Sequence, residues 1–118
     1  MKSGLLLLVL FSTAIVTSCN QKTAAKLENT SPNQKVHTVV TGTRTTSVDP
    51  WTVVIDVKAY DFQKGYLKFE IYSDDLTDKN VQFDWKDDEN CLITFQERDD
   101  KRVFQLIANA NQVQLGQI

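Results

Sequence analysis

The chain from residue 36 onward predicts an all-β fold of about seven antiparallel strands, and three observations carry that expectation. Val, Ile, Thr and aromatic residues are frequent there, the residue types that suit a pleated, half-buried surface. Apolar and polar residues alternate with the period of two that puts one face of a strand inward. Asp, Asn, Gly and Pro interrupt the pattern roughly every eight to twelve positions, the turn spacing of a sandwich or barrel. Connections of a few residues join antiparallel neighbours, so the predicted topology is an up-and-down meander closed or folded into a small barrel or sandwich.

The predicted elements follow in order. Residues 36–46 form a Thr-rich strand with a bulge at Gly42, ended by Asp49-Pro50, because Pro has no N–H for a ladder. In 52–60, Val53, Ile55, Val57 and Ala59 share a face, and in 66–72 Leu67, Phe69 and Ile71 do. Gln63-Lys64-Gly65 suits a three-residue hairpin loop with Gly65 left-handed, a register that sets Lys58 opposite Glu70. Residues 81–85 turn Val81, Phe83 and Trp85 inward. Residues 91–97 do the same with Cys91, Ile93 and Phe95, and residues 102–108 with Phe104, Leu106 and Ala108. Pairing Phe95 with Phe104 leaves Asp99-Asp100 as a two-residue turn and sets Glu97 opposite Arg102. A last strand, 112–117, adds Val113 and Leu115 after an Ala110-Asn111 turn. Tyr60, Tyr66 and Tyr72 fall on the outer face in this register and read as ordinary strand filling.

Ahead of the domain the chain has a different character. Residues 5–16 are an apolar run, shorter than the roughly 20 residues of a membrane-spanning helix, preceded by Lys2 and followed by Val16-Thr17-Ser18-Cys19. That sequence resembles the lipobox of bacterial lipoproteins. The resemblance covers about the first twenty residues. It implies a diacylglycerol on the Cys19 sulfur, cleavage before Cys19 and acylation of the new amino terminus, hence anchoring to membrane lipid by more than one acyl chain. In the enterobacterial members an Asp after the cysteine marks inner-membrane retention. Asn20 stands there in this chain, which favours the outer membrane of a bacterial cell envelope. The expected organisation is therefore a signal peptide over 1–18, a lipid anchor and flexible tether over 19–35, and a globular β domain over 36–118. The tether is polar, with Leu27 its one large apolar residue, and is expected to be disordered.

Charge and cysteine narrow the function classes. Net charge is −2, with nine basic against fourteen acidic residues from 36 onward, which gives no basic face for nucleic acid. With Cys19 lipidated, Cys91 has no partner for a disulfide and reads as a small core hydrophobe. His37 is the one histidine, and neither it nor Cys91 sits in a nucleophile motif. No cofactor motif or metal-ligand spacing is present; the acidic run Asp74-Asp75-Leu76-Thr77-Asp78 lacks the glycine of a calcium loop. The expected function is a non-enzymatic envelope lipoprotein whose β domain binds a protein or glycan partner. The alternative is an inhibitor or immunity-type protein that blocks a hydrolase or toxin.

In a meander, loops alternate between the two ends. With the tether entering at residue 36, Trp51, Asp74, Asp75, Asp78, Asp99 and Asp100 are expected to share one rim, far from the membrane, as the candidate partner-binding surface.

Overall fold

The computed structural model describes residues 23–118. The predicted signal peptide and Cys19 lie outside the described residues. The fold is all-β, as the alternation predicts, but with eight strands: β1 (Thr23–Thr30), β2 (Val36–Arg44), β3 (Trp51–Ala59), β4 (Gln63–Ile71), β5 (Val81–Trp85), β6 (Asn90–Gln96), β7 (Lys101–Ala108) and β8 (Val113–Gln117). They form two four-stranded antiparallel sheets, ordered β1-β2-β3-β4 and β5-β6-β7-β8, which makes the fold a sandwich of two meanders.

β1 corrects the expectation of a disordered tether up to residue 35. Thr23–Thr30 pairs along its whole length with β2, from Thr23 opposite Arg44 to Thr30 opposite His37. Its sequence is poor in β-branched residues, so pairing and packing hold it in place of intrinsic propensity. Ala25 and Leu27 pack on the core, and the Asn29 Oδ1 accepts a 2.7 Å hydrogen bond from Trp85 Nε1 in the facing sheet.

The inward faces are those the alternation predicts. Val53, Ile55, Val57 and Ala59 of β3 are buried against Cys91, Ile93 and Phe95 of β6 and Phe104, Leu106 and Ala108 of β7. Phe69 reaches across from β4 to stand edge-on to Phe95 at 5.0 Å and tilted over Phe104 at 4.4 Å, arrangements that suit the ring quadrupoles. On one side of the sandwich β4 meets β8. Gly65 makes that approach possible, because a Cβ there would lie 2.5 Å from Val113 Cγ1.

Two registers differ from expectation. The β6–β7 pair sets Ile93 opposite Phe104 and Phe95 opposite Arg102, so the connection is Glu97-Arg98-Asp99-Asp100 and not a two-residue Asp99-Asp100 turn. Glu97 still reaches Arg102, Oε2 to Nε 3.3 Å, from within the loop. The β3–β4 pair sets Lys58 opposite Lys64 and Thr52 opposite Glu70, so the turn is Tyr60-Asp61-Phe62. Gly65 is strand, not a left-handed turn residue, and Gly42 sits in an unbroken ladder with no bulge.

Residues 72–80 cross from β4 to β5 over one end of the sandwich. Leu76 in this crossover is buried and plugs the core, seated where Gly42 has no side chain and beside Trp51. The β2–β3 and β6–β7 loops, the start of β1 and the end of β8 lie at this same crossover end. The four connections β1–β2, β3–β4, β5–β6 and β7–β8 lie at the other, the hairpin end.

Candidate functional site

The crossover end holds the rim residues read from the sequence. The structure does bring the three loops together. Arg98 of the β6–β7 loop donates from its backbone N–H to Tyr72 O at 3.0 Å and from its guanidinium to Asp74 Oδ1 at 3.1 Å. It also reaches Ser47 O in the β2–β3 loop at 3.5 Å. Asp74, Asp75, Asp78, Asp99 and Asp100 are all exposed.

Trp51 is not beside them as a contact residue. It is buried, its Nε1 donates to Ser73 O at 3.1 Å, and Arg44 lies 4.4 Å over its ring. Burial of the indole face against Leu76 and Gly42 removes it from any partner. Arg44 also donates to Ser73 O and Asp74 O, at 3.1 and 2.9 Å. Arginines thus run through the rim, and much of its polar capacity is spent knitting the loops together. The expected entry point, residue 36 at the opposite end, is corrected. Because β1 exists, the chain enters the domain at Thr23, opposite Arg44, at this very end.

The hairpin end has a different construction, and the sequence reading missed it. The β1–β2 turn is built by Ser31-Pro32-Asn33-Gln34. Pro32 takes the position where a fixed φ suits a turn, Gln34 N–H donates to Ser31 O at 2.9 Å, and Gln34 is left-handed at φ 64. The β3–β4 turn is tighter. Phe62 N–H bonds Tyr60 O at 2.9 Å across Asp61 at φ 70, the strained positive-φ form of the γ-turn, and Tyr60 itself has φ 51. Left-handed backbone costs about 1–2 kcal/mol for a residue with a side chain. These three are the described non-glycine residues with positive φ, and all three line one cleft.

Cross-ties hold that cleft. Tyr60 N–H donates to Lys35 O at 3.0 Å, the Tyr60 hydroxyl to Glu89 Oε2 at 3.2 Å, and Gln63 Nε2 to Ala110 O at 3.2 Å, so each of the four turns is tied to another. Desolvation raises the Tyr60 phenol above its ordinary value, with the Glu89 carboxylate adding and Asn33 opposing. The expectation that Tyr60 sits on the outer face with Tyr66 is corrected: Tyr66 does, while Tyr60 belongs to the turn and packs partly on the core. The cleft, open to solvent on one side, has a volume of about 620 Å³, within the size range of small-molecule sites, and Lys35, His37, Lys58, Phe62 and Ala110 complete its lining. Phe62 is 74% exposed.

His37 and Cys91 are not brought together. His37 is exposed on the outer face of β2, with Thr30 Oγ1 3.4 Å from its Nδ1, while Cys91 is buried on the inner face of β6. Burial pushes the Cys91 thiol up to about 12, which keeps it protonated. Among the described residues no three His, Cys, Asp or Glu side chains converge as metal ligands.

The signal that marks the cleft in the sequence is the symmetric placement of Lys58, which lines it, and Lys64, which flanks it, about Tyr60-Asp61-Phe62. A turn centred on Lys64, ending at Gly65, pairs Lys58 with Glu70 and conceals that symmetry. No protein-family model, curated protein or solved structure matches the chain.

Proposed function

We propose that the protein is a lipid-anchored, non-enzymatic binding module of a bacterial cell envelope that presents the hairpin end of its sandwich to a partner. The observation that supports this reading is the placement of β1. Thr23 pairs with Arg44 at the crossover end, and only Asn20, Gln21 and Lys22 separate it from Cys19. Four Cα steps span at most about 14 Å, so an acylated Cys19 keeps the crossover end next to the bilayer. The eight residues of β1 then carry the chain about 27 Å away, at ~3.4 Å each, to the hairpin end and its cleft. The acidic rim faces the membrane in this arrangement, and the cleft faces outward.

Two measurements test it. Cys19→Ser is expected to leave the detergent phase and the membrane fraction; retention of the variant in both overturns the anchoring. In proteoliposomes, a fluorophore on Asp99→Cys is expected to be quenched by headgroup-linked quenchers, and one on Phe62→Cys is expected not to be. The reverse pattern overturns the orientation.

A further inference from the structure

We infer that the hairpin-end cleft is a binding site for an anionic saccharide, a sugar ring carrying a carboxylate or phosphate. The inference rests on the outward orientation proposed above for its biological meaning, but its chemistry stands on the site itself. Three independent features converge on the cleft.

The first is unpaired positive charge. The registers place Thr30, His37, Lys58 and Lys64 side by side across the outer face of the first sheet. Lys58 stands directly opposite Lys64, an arrangement in which like charges repel. Lys35 adds a third ammonium from the β1–β2 turn. The ion pairs among the described residues are Lys26–Glu28, Lys86–Asp84, Arg98–Asp74 and Arg102–Glu97. None takes up Lys35, Lys58 or Lys64; Asp61 is the one carboxylate in the cleft's lining, against Lys35 and Lys58, and Lys64 lies beside the cleft across from Lys58. An oxyanion seated between Lys35 and Lys58 offsets their positive charge and receives charge-assisted hydrogen bonds.

The second is backbone strain. Gln34, Tyr60 and Asp61 are all left-handed and all line the cleft, and strained backbone of this kind gathers where a ligand site is held open. The cross-ties through Tyr60 fix that shape in advance.

The third is the lining's mixed chemistry. Phe62 stands exposed at the mouth, a flat apolar surface for the C–H face of a sugar ring. Asp61 supplies an acceptor for ring hydroxyls, and Gln34 supplies both donor and acceptor. A simple anion needs only the lysines. A ring bearing hydroxyls and one charged group uses the whole lining, and the cleft has the volume for one or two such rings.

The test uses the full chain in a non-ionic detergent, with ligand-observed NMR against glucuronic acid, glucose 6-phosphate, glucose and inorganic phosphate. Binding of at least one charged sugar is expected, stronger than that of glucose by about tenfold, the equivalent of one charge-assisted contact. The stronger of the two charged sugars identifies the anion as carboxylate or phosphate. Added salt is expected to weaken that binding.

Lys58→Gln is expected to abolish the preference for charged sugars while raising the Tm, because it removes the Lys58–Lys64 repulsion. The rise also shows that the variant folds. Phe62→Ala is expected to lose the sugars and keep inorganic phosphate. Equal response to glucose and the charged sugars, no response to either charged sugar, or an unchanged preference in Lys58→Gln overturns the site. Phosphate binding with no gain from the sugar ring overturns the saccharide assignment. Because binding is read in detergent, its failure is independent of whether Cys19 anchors the chain.

Discussion

Thr38 sits on the inner face of β2, buried, with its hydroxyl oxygen bonded to nothing among the described residues. A buried polar group without a partner costs free energy that an apolar side chain of the same shape does not. Thr38→Val is therefore expected to stabilise the fold by about 1 kcal/mol, read as a higher urea midpoint with an unchanged slope. Asp87 is the opposite case. Its carboxylate accepts the N–H of Glu89 at 2.8 Å, and the backbone and side-chain N–H groups of Asn90 at 2.9 Å, closing the β5–β6 turn. The Glu89 N–H first, then Asn90, hold Asp87 below its ordinary value. A depressed carboxyl contributes stability above its unfolded value and loses it as pH falls through the folded one. Asp87→Ala is thus expected to lower the Tm at neutral pH, with a deficit that shrinks below about pH 4; a deficit that persists undiminished into acid contradicts this role.

Among the elements, β4 and β8 approach through the missing side chain of Gly65. Gly65→Ala is expected to cost about 1–3 kcal/mol by overpacking against Val113, and Val113→Ala in the same chain to recover most of it. Additive losses in the double variant mean that the two strands do not meet there. The strands show what the sequence carries and what it does not. Every inward face from β3 to β8 is legible, since the period-two pattern assigns faces directly. Register is not. The β6–β7 ladder slipped by two residues and the β3–β4 turn moved by three, and both shifts keep each side chain on its face. Hydrophobic alternation cannot distinguish such registers, and the true turn uses left-handed Tyr60 and Asp61 where a glycine was available nearby. The cleft disappeared with the register. β1 escaped notice because its residues favour helix or coil, and only Ala25, Leu27 and Asn29 reveal a partner sheet.

At the scale of the molecule, β1 moves the domain boundary. A chain starting at Val36 exposes the β2 edge, strips cover from the core and leaves Trp85 Nε1 without Asn29. It is expected to unfold at lower temperature than a chain starting at Thr23, and equal Tm values contradict the eighth strand. β1 also decides how the protein carries tension. In the proposed arrangement, a pull between a lipidated Cys19 and a ligand at Lys58 runs parallel to the strands, while the hydrogen bonds joining β1 to β2 and β2 to β3 lie across them. That geometry loads the whole ladder in shear at once, instead of opening it bond by bond like a zipper. A pull on Lys35 alone instead follows the covalent path from Thr23 through Ser31 up one edge and leaves the ladder unloaded. In that arrangement Phe69, Phe95 and Phe104, on β4, β6 and β7, stay outside the line of force.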